Sequence, residues 1–428
     1  MTTLWEELQW RGLVSEATEG LADAFAKERV TAYIGFDPTA SSLHVGTLLT
    51  IMGLARLQRF GHSPIAIVGG GTGMIGDPSG KTVERQLLTR EQIDENVAGI
   101  RAQLARFLDF DAPANPARIV NNADWLASFD LLGFLRDTGK YFTVNYMLQK
   151  ESVDRRLQSE EGISYTEFSY LLLQARDFLE LFDRFHCTLQ MGGTDQWGNI
   201  TAGIDLIRKL RGKKAHGLVW PLLTTSSGQK FGKTEAGTIW LDPKRTSPFA
   251  FYQFWLNTDD RDVVAYLKYF TFLDRDAIGA LEAATRTSPE KREAQRVLAR
   301  ELTRLVHGAE ETENAVRASE QLFSRTRGVW DVPVEELMAS LQDAPSTSVT
   351  RQDLEAGHPL TKWLTDTGLA SSRSEATRLI RSGGIYVNNV PVTDEKRQLT
   401  TADVWKRALI VLAKGKKSKH VLKVDATD

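Results

Sequence analysis

The stretch that decides the fold is Tyr33-Ile-Gly-Phe-Asp-Pro-Thr-Ala-Ser-Ser-Leu-His-Val-Gly-Thr47. Its first four residues predict a strand, and the Asp-Pro pair that follows predicts a turn. Ser41 or Ser42 stands where a helix N-cap is favoured, so an apolar helix is expected to begin at Leu43. The free N–H groups of a helix start attract an anion, and Gly46 lets a flat group approach the backbone. The stretch therefore predicts a phosphate-binding strand–turn–helix.

Two further segments extend this design into a sheet. Residues 64–69 form a short apolar run that predicts a buried parallel strand. Strand, helix and strand within about forty residues form a βαβ unit, which implies a parallel sheet with covering helices. A strand from Thr188 is followed by a second glycine-rich turn at 192–198 and by a helix from Asn199. Ligands of open parallel sheets bind at the carboxyl ends of strands, so these turns are expected to share one site.

The glycine-rich segment after the second strand contains two incomplete nucleotide-binding motifs. Residues 71–76 match the spacing of the dinucleotide fingerprint, but Pro78 interrupts the helix that this motif needs. A Walker A loop is excluded because Ile75 occupies the position of its first glycine. Two interpretations remain: a surface loop, or a turn that presents a carboxylate together with Lys81 and Arg85 to a ligand.

Helices are predicted for residues 1–30 and for most of the segment 84–185. The helices expected in the second segment are Leu87–Leu108, Trp125–Thr138, Val144–Leu157 and Thr166–Phe185. In the last of them Tyr170, Gln174 and Asp177 share one face, because their spacings are four and three. Such a polar stripe either faces solvent or lines a pocket, and spacing alone does not decide between the two.

A further strand is expected at Leu218–Leu223, followed by a Gly/Ser-rich loop at 226–234. Lys230 and Lys233 lie three residues apart in this loop, where they are able to reach an anion when the loop closes. The alternative interpretation is a solvated loop. From Pro248 to about Ser340 the pattern is helical throughout.

The composition shifts after a small-polar segment with one proline at 342–350, which predicts a linker. Beyond it a helix–turn–helix is followed by strands at Ile385–Asn388 and Leu409–Leu412. Six basic residues of this last segment are expected to contact a nucleic-acid backbone, although such a patch is sometimes only a solubility feature. They are Arg373, Arg378, Arg381, Lys414, Lys416 and Lys417.

Length and composition indicate a globular protein of two or three domains. The 428 residues carry a net charge of -2, so any nucleic-acid surface must be local. The single cysteine, Cys187, excludes an intrachain disulfide and a Cys-based zinc site and is expected to pack as a small side chain. No apolar run has the length of a membrane span, and the N-terminus lacks the bias of a targeting peptide. A cytoplasmic location is expected.

Three motifs in this order resemble those of class I aminoacyl-tRNA synthetases of the bacterial tyrosine-specific type. Leu43–Thr47 resembles the HIGH signature with Thr47 in place of its final histidine, and Lys230–Thr234 resembles the KMSKS loop. Gly192–Asn199 lies between them, and residues 357–390 resemble an S4 RNA-binding domain. The resemblance spans nearly the whole chain, and the motifs are specific as a set rather than singly.

The resemblance implies an α/β fold and a homodimer. The domains it implies are a Rossmann-like parallel-sheet catalytic domain with a helical insertion (1–225), an all-α domain with the signature loop (226–340), a linker (341–351) and a small α+β S4-like RNA-binding domain (352–428).

The resemblance also implies roles for individual residues. The tyrosine substrate would contact Tyr33, Asp77, Tyr170, Gln174, Asp177 and Gln196. ATP would contact Gly35, Asp37, His44, Gly46, Thr47, Gly193, Asp195, Lys230, Phe231, Gly232, Lys233 and Thr234. The departing pyrophosphate would be stabilised by Thr39, His44, Lys81, Arg85, Lys230 and Lys233.

The implied reaction joins tyrosine to tRNA(Tyr) in two steps. The tyrosine carboxylate attacks the α-phosphorus of ATP, and a ribose hydroxyl at the tRNA 3′ end then attacks the adenylate. The nucleophile is already charged, so catalysis needs positioning and charge stabilisation rather than a general base. Magnesium is expected to arrive with ATP, and no protein-bound metal is predicted. The competing interpretations are a non-catalytic RNA-binding protein on the same scaffold, a tryptophan-specific relative, and another nucleotidyl-transferring enzyme.

Overall fold

The computed structural model describes residues 2–79, 88–160, 162–226, 228, 231–234, 237–323, 345–405, 408–415 and 418–424. The chain forms two compact units. The first comprises Met1–Asp242 and Thr258–Val306, and the second comprises Pro243–Asn257 and His307–Asp428. Within the described ranges, no helix combines the length and the apolar character needed to cross a membrane.

A six-stranded sheet organises the first unit. Its strands are β1 (Glu16–Ala17), β2 (Thr31–Phe36), β3 (Ser63–Val68), β4 (Arg118–Asn121), β5 (Cys187–Gly193) and β6 (His216–Trp220), in the order β1-β6-β5-β2-β3-β4. All neighbours pair in parallel except β1, which is antiparallel to β6. A short antiparallel pair, β7 (Lys233–Thr234) and β8 (Gly237–Thr238), follows in the chain. The predicted parallel sheet is therefore confirmed.

The helices up to Arg211 belong to the same unit as this sheet. They are α1 (Leu4–Trp10), α2 (Leu21–Lys27), α3 (Leu48–Arg59), α4 (Arg90–Leu104), α5 (Ala123–Leu126), α6 (Leu131–Asp137), α7 (Val144–Leu148), α8 (Glu151–Leu157), α9 (Tyr165–Phe185) and α10 (Trp197–Arg211). Of these, α3, α4, α9 and α10 contact the strands of the sheet. The later helices are α11 (Pro248–Leu256), α12 (Val263–Phe270), α13 (Arg275–Thr287), α14 (Glu293–His307) and α15 (Ala309–Phe323). The helical pattern expected between Pro248 and Ser340 is confirmed as far as Phe323, and residues 324–344 lie outside the described part.

One hydrophobic cluster of the first unit lies between the sheet and the pair α9 and α10. Its buried side chains include Tyr33, Phe178 and Cys187. A Cβ built on Gly203 of α10 would lie 2.8 Å from the ring of Phe178, so glycine allows the two helices to pack closely. Cys187 is fully buried, in agreement with its expected packing role.

Several predicted boundaries in the first unit are wrong. Residues 1–30 contain two separate helices and the strand β1 rather than continuous helix. Each of the single helices expected at Trp125–Thr138 and Val144–Leu157 is divided in two, because Asp130 and Lys150 start new helices as N-cap residues. The strand β4 was not predicted, since its four residues are only partly buried at the edge of the sheet.

The second unit contains α11, α15 and a small α+β module. Its five-stranded sheet has the order β11-β10-β12-β13-β9, with β9 (Ser346–Val349), β10 (Ile385–Val387), β11 (Val390–Val392), β12 (Leu409–Lys414) and β13 (Ser418–Val424). Its helices are α16 (Arg351–Glu355), α17 (Leu360–Asp366) and α18 (Arg373–Arg381). Asn388 and Asn389 form the tight β10–β11 turn with φ values of 48° and 62°.

The linker expected at 342–350 is wrong over Ser346–Val349. This segment is β9, an edge strand that pairs in parallel with β13. Its first three residues are exposed, which explains a polar composition that otherwise indicates a linker. The predicted domain limits near residues 225 and 340 stay predictions.

Candidate active site

A cavity of about 870 Å³ lies at the carboxyl ends of β2, β3, β5 and β6. The turns that follow β2 and β5 and the polar stripe of α9 all contribute to its wall. The predicted site residues that line it are Tyr33, Gly35, Asp37, Thr39, His44, Gly46, Thr47, Asp77, Tyr170, Gln174, Asp177, Gly193, Asp195, Gln196 and Phe231. The stripe of Tyr170, Gln174 and Asp177 therefore faces a pocket rather than solvent.

Asp177 has both carboxylate oxygens fixed by buried donors. The indole Nε1 of Trp125 donates to Oδ1 over 2.8 Å, and the amide Nδ2 of Asn122 donates to Oδ2 over 2.9 Å. Burial raises the pKa of Asp177 to about 7, helped by the charges of Asp37 and Glu180 and opposed by the two hydrogen bonds. A carboxylate oriented in this way is prepared to accept one further hydrogen bond from a ligand.

Tyr33 contributes the complementary group from β2. Its hydroxyl is buried and forms no hydrogen bond with a described residue. Burial raises its pKa, and the negative charge of Asp177 adds to the effect, so the two side chains are electrostatic neighbours. The ring packs edge-on against Phe178 at 5.3 Å between centroids, which fixes its orientation. A buried, unpaired hydroxyl beside an oriented carboxylate indicates a place for a polar group of a ligand.

A chain of amides holds a second buried carboxylate, Asp77. Gln196 Nε2 donates to Asp77 Oδ2 over 2.7 Å, and the backbone N–H of Ser79 donates to Oδ1 over 2.9 Å. Gln174 Nε2 in turn donates to Gln196 Oε1, and Asn199 Nδ2 donates to Gln174 Oε1, each over 3.1 Å. The network connects α9, the turn before α10 and the segment after β3.

Three carboxylates give this part of the cavity a negative character. Burial and, to a smaller extent, the charge of Asp37 raise the pKa of Asp77 to about 6. The hydroxyl of Tyr170 lies 3.4 Å from Asp37 Oδ2 and 3.5 Å from Oδ1. Since Asp37 also raises the pKa of Asp177, it repels both of the other two carboxylates. A cationic group bound among them would relieve this repulsion.

The HIGH-like turn differs from its expected form. The helix does not begin at Leu43: a short 3₁₀ turn covers Val45–Thr47, and α3 begins at Leu48. Thr47 Oγ1 donates to the carbonyl of His44 over 2.7 Å and accepts from its N–H at 3.3 Å, so these two residues close the turn reciprocally. Ser42 does not cap a helix, because its hydroxyl donates to the carbonyl of Leu43.

Two glycines of the turn region leave room for a ligand or for a neighbouring ring. A Cβ on Gly35 would meet no atom within 4 Å, although Gly35 lines the cavity, so any side chain there would project into the free space. A Cβ on Gly46 would lie 2.7 Å from Cε1 of His44, so the imidazole rests over this glycine. The ring also packs edge-on against Trp240 at 5.9 Å.

The segment that resembles the KMSKS loop is described in part. Phe231 is buried and stacks on Phe270 of α12 at 5.5 Å, while Gly232 has a φ of +82° and adjoins Val45. Lys233 and Thr234 form β7, and nothing is described of their side chains. Three predicted cations, Lys81, Arg85 and Lys230, lie outside the described residues.

The predicted basic surface of the second unit is only partly available for binding. Arg373 and Arg378 on α18 are exposed and form no ion pair with a described carboxylate. Arg381 instead pairs with Glu395 at 2.6 Å, and Lys414 pairs with Glu375 at 2.9 Å. Lys416 and Lys417 lie outside the described residues.

Sequence reasoning missed the residues that hold the carboxylates. Asn122 and Trp125 follow β4, which was itself not predicted, and Asn199 was assigned only as a helix start. Gln190 of β5 also lines the cavity, with a buried Oε1 that has no described partner. A polar residue between the apolar Leu189 and Met191 is the signal that could have indicated Gln190.

Comparison with known proteins agrees with this geometry. A model of class I tRNA synthetases for tryptophan and tyrosine matches residues 26–324, and one of the C-terminal domain of tyrosine–tRNA ligases matches residues 336–422. The chain is 54% identical to the tyrosine–tRNA ligase of Roseiflexus castenholzii over 425 residues, 99% of this chain and 100% of the relative. It is 51% identical to that of Geobacillus stearothermophilus over 423 residues, 98% and 99% of the two chains.

A solved structure supports the same conclusion about the fold. The C-terminally truncated mitochondrial tyrosyl-tRNA synthetase of Aspergillus nidulans superposes with a TM-score of 0.68 at 33% identity, over 76% of this chain and 95% of that one. The predicted fold class and the predicted resemblance are thereby confirmed. The chain belongs to the class I tRNA synthetases, in the tryptophan and tyrosine group, and within it to the tyrosine–tRNA ligases.

Proposed function

We propose that the cavity binds tyrosine with its phenol between Tyr33 and Asp177 and its ammonium group beside Asp77. The observation that carries the proposal is the pair formed by a twice-anchored carboxylate and a buried hydroxyl without a described partner. A substrate phenol donates to Asp177 and satisfies Tyr33, so the hydroxyl of Tyr33 is paired, and Asp177 gains a further hydrogen bond, only when tyrosine is bound. Phenylalanine would leave the Tyr33 hydroxyl unpaired.

The ammonium group of tyrosine is assigned to the acidic side of the cavity. Asp77, Tyr170 and Gln174 surround it, and Gln196 lies between Asp77 and Gln174, towards the reacting carboxyl group. The positive charge offsets the repulsion that Asp37 exerts on Asp77 and Asp177. Binding at this end directs the tyrosine carboxylate towards the turn that follows β2.

ATP is assigned to the remainder of the cavity. Gly35 and Asp37 lie nearest the α-phosphate, and Gly193 and Asp195 hold the ribose, with Gly46 and Thr47 against the nucleotide. Thr39, His44 and the signature-loop cations bind the leaving pyrophosphate. A phosphate near Asp37 needs compensating positive charge, which Lys81, Arg85, Lys230, Lys233 and the Mg²⁺ that accompanies ATP would supply.

The chemistry then requires positioning more than proton transfer. The tyrosine carboxylate forms a bond to the α-phosphorus, and the bond to the bridging oxygen of pyrophosphate breaks. Charge grows on the leaving group, so donors aimed at it stabilise the transition state more than the ground state. The tRNA 3′ ribose hydroxyl then attacks the adenylate carbonyl and releases AMP. A cytoplasmic location stays a prediction from the sequence pattern.

The experiment that tests the tyrosine assignment is the pH dependence of kcat/KM for tyrosine in ATP–pyrophosphate exchange. With the pKa of Asp77 raised to about 6 and that of Asp177 raised to about 7, both groups lose charge as the pH falls. We expect kcat/KM to fall from pH 8 to pH 5.5 with two apparent pKa values in this range, one for each carboxylate. In the Asp77→Asn variant, the pH dependence of kcat/KM should show one ionisation fewer.

The same two pKa values carry a stability effect of defined sign. Because the folded protein holds these protons more tightly than the unfolded chain, their stabilising contribution is present below about pH 4 and is lost as the pH rises through 6 to 7. Asp94→Asn, on the exposed side of α4, should change neither the activity profile nor this dependence. A flat kcat/KM profile down to pH 5.5 contradicts the assignment.

The exposed arginines of α18 are assigned to the tRNA backbone. We expect the double variant Arg373→Glu and Arg378→Glu to lower kcat/KM for tRNA about tenfold or more, and to reduce the salt dependence by about two phosphate contacts. Arg381→Gln should have a smaller effect, because Glu395 already engages Arg381. Exchange without tRNA should stay unchanged in both variants. Unaltered aminoacylation by the double variant would show that this face of α18 does not bind tRNA.

A homodimer is supported by apolar side chains on the helical insertion. Leu131, Leu132 and Tyr165 are 71%, 76% and 73% exposed, and Val144 is 59% exposed. Large exposed apolar side chains in one insertion are typical of a protein interface. We expect Leu132→Glu to shift the chain towards monomer in sedimentation velocity at micromolar concentration. Val390→Glu, in the second unit, is the matched control, and a wild-type monomer contradicts the proposal.

A further inference from the structure

One face of α4 contacts the turn that carries Thr39 and His44. Asn96, Gly99 and Gln103 share this face, because their spacings are three and four. Asn96 Nδ2 donates to the carbonyl of Pro38 over 2.8 Å. Gln103 Oε1 accepts from the backbone N–H of Leu43 over 2.8 Å, and its Nε2 donates to the hydroxyl of Ser42 over 2.9 Å.

At the middle of this face there is no space for a side chain. A Cβ built on Gly99 would overlap the carbonyl oxygen of Ser41, so the turn backbone rests directly on the helix. Ser42 connects the turn to a later segment of the chain, since its hydroxyl also accepts from the backbone N–H of Asp242 at 3.2 Å. Polar side chains of α4 thus meet the turn at both ends, with direct backbone contact between them.

The turn needs such support because it has little regular structure of its own. Between Asp37 and Leu43, the backbone-to-backbone hydrogen bonds seen among the described residues run from Thr39 N–H to Asp37 O at 2.9 Å and from Leu241 N–H to Leu43 O. The carbonyl of Pro38 and the N–H of Leu43 are satisfied by α4 instead. These two groups are the immediate neighbours of Thr39 and His44 in the chain.

A smaller cavity of about 240 Å³ lies beside the turn and has α4 in its wall. It is lined by Thr39, His44 and Thr47, which also line the main cavity, and by Ile100 of α4. The helix therefore forms part of the wall behind the region assigned to the leaving pyrophosphate. A misplacement of about 1 Å in such a group costs on the order of a hundredfold in rate.

We propose that Asn96 and Gln103 are positioning residues for the activation step: Asn96 fixes Thr39 through the carbonyl of Pro38, and Gln103 fixes His44 through the N–H of Leu43. The inference rests on the proposed function, in which Thr39 and His44 stabilise the leaving pyrophosphate. Neither residue contacts the groups assigned to the tyrosine side chain, so both act on kcat rather than on the KM for tyrosine.

Two double-mutant cycles on the full chain test this inference. In ATP–pyrophosphate exchange, Asn96→Ala and Gln103→Ala should each lower kcat about tenfold with the KM for tyrosine unchanged. Asn96→Ala should lose most of its effect when Thr39→Ala is present, and Gln103→Ala when His44→Ala is present. Gln103→Glu keeps the oxygen that accepts from Leu43 and should recover part of the rate. Glu95→Ala, on the exposed side of α4, is the control.

The outcomes separate the inference from the function on which it rests. If the effects multiply within each pair, or if the KM for tyrosine rises as much as kcat falls, Asn96 and Gln103 do not act through Thr39 and His44 and the inference is overturned. If Thr39→Ala and His44→Ala have no effect by themselves, the role proposed for these two residues is wrong, and the inference falls with it. Tyrosine binding measured by fluorescence confirms folding, and should one pair fail to fold, the other cycle decides.

Discussion

Asp177→Asn lowers kcat/KM for tyrosine about a thousandfold in ATP–pyrophosphate exchange, while the small kcat/KM for phenylalanine changes less than threefold. The wild-type carboxylate accepts from Trp125 and Asn122 and is assigned as acceptor of the substrate phenol. In asparagine one oxygen becomes an NH₂ group that faces one of these two donors, and the charge that strengthens the phenol bond is lost. Discrimination between the two amino acids therefore falls by the same factor.

The size of the effect follows from how such a site selects. A pocket built to hydrogen-bond a substrate hydroxyl rejects the analogue without it by about 10⁴–10⁵, a range known for tyrosine-specific enzymes of this family and not calculated from this structure. Asp183→Asn is the matched control, because Asp183 lies on the same helix and forms a surface ion pair with Arg211. A variant at position 177 that keeps its tyrosine preference contradicts the assignment of the phenol to Asp177.

The location of the site could be predicted from local sequence rules. A strand followed by a glycine-rich turn and a helix is recognisable within about fifteen residues, and parallel strands place such turns on one edge of the sheet. That rule predicts that the segments after β2 and β5 lie side by side. The cavity confirms that the segments meet, and the roles of individual residues within it stay proposals.

The orientation of side chains could not be predicted in the same way. The spacing of Tyr170, Gln174 and Asp177 defines a face of α9 but not which way that face is turned. The direction is set by tertiary packing, in particular by Phe178 against Tyr33 and by the close approach of α10 at Gly203. Contacts between distant segments, such as Asn122 with Asp177, have no local signature at all.

Thr47 shows how the structure changes the interpretation of a motif. In the sequence it is a departure from the family signature at a position assigned to the nucleotide. In the structure its hydroxyl is engaged with the backbone of His44 on both sides, donating to the carbonyl and accepting from the N–H. The residue therefore stabilises the geometry of the turn, and the direct role in catalysis is assigned to His44.

His44→Ala should lower kcat for tyrosine activation by about 10²–10³, or roughly 3–4 kcal/mol of barrier, with the KM for tyrosine unchanged. The reason is that a preorganised donor to the leaving pyrophosphate gains strength as negative charge develops there. Contacts with Gly46 beneath it and Trp240 at its edge help to hold the imidazole for this purpose. ATP–pyrophosphate exchange and the reverse reaction of the adenylate with pyrophosphate measure the loss of rate in the two directions.

Gly46→Ala provides the companion test, because its Cβ would displace the imidazole without removing it. We expect its effect to approach that of His44→Ala, and the double variant to be no slower than His44→Ala alone. Gly279→Ala is the matched control, since a Cβ there meets no atom within 4 Å and the residue lies in α13. If the rate effects of Gly46→Ala and His44→Ala multiply, Gly46 contacts the nucleotide independently of the imidazole. Trp240 then positions the ring of His44 without Gly46.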